Sequence, residues 1–242
     1  PAFDLARILA SLKSPDGVVK VPGFYDGVSL SDDDKAVLSR VPDDEEQILA
    51  DMGLVRAESV APSLQEAIQY PSLNIRGMSA AWVGEQARTI IPPTATAELD
   101  IRLVTESDPE RLMGLLRAHI ESLGYTVLDR APTGDQRRQF DRVVSLDHEL
   151  SYGAFRSDMD SAAGRMARAG LEALYGAEPI LIRTMGGSIP IAPIIEALDV
   201  PAAIVPTVNI DNNQHSPNEN LRLGNFVEGI AMLMAVLGQA PP

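Results

Sequence analysis

Residues 94–104 alternate in polarity without a break. Ala95, Ala97, Leu99, Ile101 and Leu103 fall on one face, and Thr96, Glu98, Asp100, Arg102 and Val104 on the other. A period of two over eleven residues specifies a half-buried strand, because a slip of one residue would turn every apolar side chain to water. A helix-start signal follows directly. Asp108 or Ser107 can cap the orphan N–H groups, and Pro109 occupies the first turn. Leu112, Leu115, Leu116, His119, Ile120 and Leu123 then recur at helical spacing, and Gly124 closes the helix. Residues 125–128 read as a further strand, and residues 72–78 as an earlier one.

The flanking sequence extends this pattern into two domains. In residues 1–150, Phe3, Leu5, Ile8, Leu9 and Leu12 predict an opening helix, stopped by the turn residues Pro15-Asp16-Gly17. Residues 18–25 read as extended, residues 32–54 as an acidic helical stretch split near Pro42, and residues 63–70 as a short helix. The order fits a βαββαβ unit without its first strand. In residues 151–242, helices are expected over 159–175, ended by Gly176, over 191–198, with Pro193 early, and over 224–237. Short apolar runs at 180–182 and 202–205 read as strands. Alternating strands and helices predict an α/β fold with a parallel sheet, here half of one.

Composition narrows the function. The 242 residues are 45% apolar, enough for one large domain or two modest ones. The apolar run at 230–237 is too short to span a bilayer. The chain has no cysteine, which excludes disulfides, thiolate metal sites and a thiol nucleophile. A net charge of −14 disfavours phosphate backbones and anionic membranes, so neither a nucleic acid nor a membrane is an expected partner. A cytoplasmic protein is expected.

Few residues offer chemistry. His215 lies in an Asn/Asp-rich loop, Gln214-His215-Ser216-Pro217-Asn218-Glu219, just past the predicted strand at 202–205. Open α/β sheets bind ligands at such strand ends, and a neutral imidazole there suits a transition metal such as Zn²⁺. His119 reads as core packing and His148 as polar surface. The three histidines form no ligand pair. Gly186-Gly187-Ser188 is either an anion cradle ahead of a helix or a turn that needs glycine. Arg102, on the polar face of its strand, suits a cross-strand ion pair. Asp43-Asp44-Glu45-Glu46 reads as solvated surface, and so does Gln136-Arg137-Arg138.

Four blocks in order carry a resemblance: Arg88-Thr89-Ile90-Ile91-Pro92, Glu98-Leu99-Asp100-Ile101-Arg102-Leu103-Val104, the stretch from Ile182 to Ala192 around Gly187, and His215-Ser216-Pro217-Asn218-Glu219. Together they resemble the M20 metallopeptidases. Carnosinase-like dipeptidases are nearest, with acetylornithine deacetylase, succinyl-diaminopimelate desuccinylase and aminoacylase as relatives.

The resemblance implies that residues 1–150 are an incomplete lid, or dimerisation, domain. Residues 151–242 would be the C-terminal part of a metallohydrolase catalytic domain. It implies a hydrolase of amide bonds in dipeptides or N-acyl amino acids, working with two divalent ions, zinc or else manganese or cobalt, and forming a homodimer through the lid. His215 is then a metal ligand, and Thr89, Arg102, Gly187 and Ser188 contact substrate. The remaining ligands and the general base would lie outside this stretch, so the isolated chain is expected to be an inactive fragment with no catalytic residue of its own. The alternative is a non-catalytic dimerisation and substrate-gripping module, or a small-ligand binder.

Overall fold

The computed structural model describes residues 1–187 and 189–239. They fall into two compact units, Pro1–Lys35 with Pro42–Ala154, and Ala36–Val41 with Phe155–Pro242.

The chain opens with α1 (Ala2–Leu12), which buries Ile8 and Leu12 but leaves Phe3 81% exposed. Phe3 stands five residues before Ile8, about 140° round the helix, and so misses the buried face. The predicted turn follows, with Gly17 in the left-handed region at φ +86°. The acidic stretch forms α2 (Asp32–Leu38) and α3 (Glu45–Asp51), interrupted around Pro42. Asp44 caps α3 by accepting from the Gln47 N–H. The predicted helix at 63–70 contracts to a single turn, α4 (Leu64–Ala67), capped by Ser63.

β1 (Ser72–Ser79) and β2 (Thr96–Arg102) pair antiparallel, from Ser72 opposite Arg102 to Ser79 opposite Thr96. The register shifts between Ile75 and Gly77, so Arg76 is the extra residue of a bulge. It reaches Glu98 on the neighbouring strand at 3.0 Å. The helix start after β2 forms as predicted. The Asp108 carboxylate accepts from the Arg111 N–H at 2.6 Å, and α5 (Pro109–Ser122) turns Leu112, Leu116 and Ile120 inward. These three pack with Ile8, Leu12, Phe24, Leu73 and Tyr125 into the core of the first unit. Each such side chain contributes on the order of 1.5–3 kcal/mol by leaving water.

Beyond α5 come β3 (Thr126–Leu128), α6 (Gly134–Gln139) and β4 (Val143–Ser145). β3 and β4 pair in parallel, Val127 opposite Val144, with α6 as the connection. Periodicity predicts neither α6, whose Gln136-Arg137-Arg138 reads as solvated surface, nor β4. The signal for α6 was a capping box: the Thr133 hydroxyl accepts from the Gln136 N–H, and the Gln136 side chain accepts from the Thr133 N–H. The strands of this unit form two separate ladders, and β2 and β3 share none among the described residues.

The second unit carries α7 (Ala162–Tyr175), α8 (Ala192–Leu198) and α9 (Leu223–Leu237). Ser161 caps the start of α7, and left-handed Gly176 ends it. α7 and α9 cross at Gly170, where an added Cβ would lie 2.5 Å from the Val236 Cα. The apolar runs at 180–182 and 202–205 differ from expectation. Among the described residues they join no ladder, and Ile180 and Ile204 are 61% and 54% exposed. Hydrophobicity selects a run for burial, but a strand also needs a neighbour to take its backbone hydrogen bonds. α9 likewise exposes Leu223, Val227, Ile230, Met234 and Leu237. Among the described residues, no helix is long and apolar enough to cross a membrane.

Candidate functional site

In the first unit, the β1–β2 connection places Thr89 in an exposed loop that also exposes Trp82, Val83 and Ile91. Arg102 is the last residue of β2, its side chain half exposed. Its Nε–H donates to Asp100 Oδ2 at 2.6 Å. The ion pair therefore runs along the strand, between residues two apart on one face, and not across to β1. The cross-strand pair on this sheet is Arg76 with Glu98.

In the second unit, His215 is exposed near the middle of a loop tied at both ends. Asn209 is only 5% exposed. Its Oδ1 accepts from the Arg222 N–H at 3.1 Å, and its Nδ2 donates to Asp211 Oδ1 at 2.9 Å and to Asn220 Oδ1 at 3.4 Å. The Asn220 N–H donates to the Asn212 carbonyl at 2.8 Å, and Arg222 pairs with Asp211. The hydrogen bond from Asn209, aided by the Arg222 guanidinium, holds the Asp211 carboxyl below its ordinary value. Within this loop Asn213, His215 and Asn218 all have positive φ, 54°, 62° and 64°. Asn and His tolerate that region better than most residues, though at a cost of order 1–3 kcal/mol for each non-glycine residue held there.

Gly187 borders a cleft of about 230 Å³ lined also by Phe155, Leu171, Ile180, Arg183 and Thr184. A Cβ at Gly187 would meet no heavy atom within 4 Å, and its φ lies outside the left-handed region. Among the described residues neither crowding nor a left-handed backbone requires glycine at position 187. Ser188 lies outside the described residues. The following helix, α8, starts at Ala192, with no side-chain cap and Pro193 in its first turn. A helix therefore begins shortly after the loop, within one residue of the expected start. Thr184 Oγ1 and Arg168 Nε, at the wall of the cleft, are buried without a hydrogen-bond partner among the described residues.

His119 packs at the α1–α5 contact, with Nε2 2.9 Å from Ser11 Oγ. Burial, then the Lys20 charge, push its imidazole below the ordinary value, against a smaller upward effect of Ser11. His148 lies at the surface, 3.3 Å from Glu110. Among the described residues no three His, Asp or Glu side chains group to hold an ion. His215 accordingly belongs to no such group among the described residues. The sequence reading singled out His215 but missed Asn209 and Arg222. The available signal was an asparagine between Val208 and Ile210, a polar residue within an apolar run.

Comparison with known proteins places these features in a family context. The family model described as the peptidase dimerisation domain of the M20 group matches residues 2–127. The chain is 28% identical over 241 residues to the Cys-Gly metallodipeptidase DUG1 of Saccharomyces cerevisiae, covering 98% of this chain and 48% of that protein. It is 24% identical over 239 residues to the Beta-Ala-His dipeptidase of Rattus norvegicus, covering 97% and 46%. Among solved structures, the M20 family metallo-carboxypeptidase Sso-CP2 from Sulfolobus solfataricus superposes with a TM-score of 0.77 at 26% identity, covering 98% of this chain and 52% of that one. The dipeptidase Dug1p from Saccharomyces cerevisiae superposes with a TM-score of 0.74 at 28% identity, covering 98% and 48%. The chain spans about half the length of the curated relatives it matches.

Proposed function

The chain belongs to the M20 peptidase dimerisation-domain family, and on that premise we propose that it serves the metal-dependent hydrolysis of dipeptides. The observation that carries this reading is the reach of the likeness. It covers 98% of the chain against a metallodipeptidase, and so includes both the Arg102 strand and the His215 loop.

In this reading residues 1–150 act as lid and residues 151–242 as part of the catalytic domain. Arg102 binds the free carboxylate of the substrate. A guanidinium meets a carboxylate at two points, and the Asp100 bond to its Nε fixes the plane in which it does so. Thr89, in the exposed β1–β2 loop, and Gly187 with Ser188 contact the rest of the substrate. The open space beside Gly187 supports a close backbone approach there. His215 is one metal ligand, presented to solvent by a loop whose ends are tied. Divalent ions, zinc first and manganese or cobalt as alternatives, supply the polarised carbonyl and activated water that amide hydrolysis needs. The homodimer forms through the lid, in keeping with the matched dimerisation family. N-acyl amino acids form a second substrate class, since they present the same terminal carboxylate.

The test is hydrolysis by the complete protein of a dipeptide and of its C-terminal amide. Cleavage of the acid form is expected, with poor cleavage of the amide and loss of both on chelation. Absence of cleavage of any dipeptide or N-acyl amino acid after metal is restored refutes the proposal.

A further inference from the structure

We propose that Asn209 is the positioning residue for His215: it knots the two ends of the 209–222 loop and so sets how the imidazole is presented. The inference rests on the reading of His215 as functional.

Asn209 stands between exposed Val208 and Ile210, yet it is one of two buried polar side chains among the described residues. Its carboxamide joins the entry and the exit of the loop. Nδ2 donates to Asp211 Oδ1 just after it and to Asn220 Oδ1 eleven residues on, and Oδ1 accepts from the Arg222 N–H at the start of α9. A carboxamide suits this place because it donates and accepts at once. A carboxylate would keep only the acceptor and would face Asp211 with like charge. A leucine would keep the shape and lose both ends.

The knot also has something to hold. Asn213, His215 and Asn218 adopt left-handed backbone, a conformation that persists only where the surroundings impose it. A loop of this length with free ends has many alternatives. Its other ties are the Arg222–Asp211 ion pair, which also joins the two ends, the Asn220 N–H to the Asn212 carbonyl, the Asn220 Nδ2 to the Asn218 carbonyl, the Gln214 N–H to Asn212 Oδ1, and the Ser216 N–H to the Asn213 carbonyl. All of them lie inside the segment that Asn209 closes. Arg222 is the residue before α9, and of the two side chains that tie the loop entry to it, Asp211 is exposed and Asn209 is buried.

Two variants of the complete protein, Asn209→Leu and Asn209→Asp, test the inference by hydrogen exchange and bound zinc. In Asn209→Leu, amides of the 211–222 segment should exchange roughly tenfold faster, the scale of a buried hydrogen-bonding group left unpaired. The 223–237 segment should keep its protection, and zinc should be lost more readily on dialysis. Asn209→Asp, which keeps the acceptor for Arg222, should fall between wild type and Asn209→Leu on both measures. Unchanged loop exchange in both variants would overturn the inference. So would a loss of protection that spreads equally into 223–237, because Asn209 would then be a general packing residue. If Asn209→Leu does not fold, Asn209→Asp decides by the same criteria. His215→Ala separates the two claims. If it leaves zinc content and activity unchanged, the ligand reading fails. If it removes both while neither Asn209 variant alters zinc retention, the positioning role fails.

Discussion

Arg102 donates through Nε to Asp100 Oδ2 at 2.6 Å, an ion pair between residues two apart on one face of β2. Both side chains are substantially exposed, at 50% and 34%, and exposed pairs of this kind contribute about 0–1 kcal/mol. Arg102→Lys should therefore leave the thermal midpoint nearly unchanged. Lysine keeps the charge but lacks the planar fork. In the complete protein kcat/KM should fall roughly ten- to a hundredfold on substrates with a free carboxylate, the scale of a charge-assisted hydrogen bond. It should change little on C-terminal amides. Equal proportional loss on acid and amide substrates would mark Arg102 as structural.

His215 has an exposed side chain, so His215→Ala should cost little through lost packing, while activity and metal content of the complete protein collapse. Its backbone at φ +62° adds a second expectation. Glycine adopts that conformation freely and alanine does not. His215→Gly should melt at least as high as His215→Ala, although both lose the imidazole. The reverse order in a thermal melt would count against the left-handed geometry.

Two glycine-to-alanine changes should have opposite signs. At Gly170 the new Cβ would lie 2.5 Å from the Val236 Cα, 2.7 Å from its N and 2.8 Å from the Ala235 carbonyl oxygen. All three are backbone atoms, so α7 and α9 must separate, at a cost of about 1–3 kcal/mol or more. At Gly114, inside α5, a Cβ meets nothing within 4 Å, and alanine should stabilise by roughly 0.5–1 kcal/mol. Urea unfolding of the two variants measures both signs.

The Ser11 hydroxyl donates its one proton to the Ile8 carbonyl at 2.7 Å, so at the 2.9 Å contact the His119 Nε2–H is the donor. Burial first, then Lys20, lower the folded-state pKa of this imidazole below 6.5. Between that lowered value and 6.5 the unfolded chain binds more protons than the folded one, so stability rises with pH across the window. The contribution is complete above 6.5 and is lost as pH falls through the folded value. His119→Gln can still donate to Ser11 but does not titrate. Wild type should lose stability relative to this variant as pH drops below 6.5, and a constant difference between their urea midpoints would refute the assignment.

The 242-residue chain by itself should bind fewer than two zinc ions tightly, because the described residues group no three His, Asp or Glu side chains. Metal analysis after gel filtration in a chelator-rinsed buffer checks this. Two ions retained per chain would contradict it.

The sequence by itself determined the local elements. The alternation around Leu99 and Ile101, the Asp108 cap, the turn at Gly17 and the stop at Gly176 each depend on a few neighbouring residues, and all are present in the structure. Ordered motifs also marked Arg102 and His215 as residues of interest. What tertiary structure decided was partnership. It directed Arg102 to Asp100 instead of across the sheet, brought Gly170 against the backbone of Val236, and closed Asn209 onto Asn220 and Arg222. It also left the runs at 180–182 and 202–205 without a ladder among the described residues. Propensity and periodicity act over a few residues and are written in sequence order, whereas a hydrogen-bond partner or a close backbone approach depends on where distant segments come to lie.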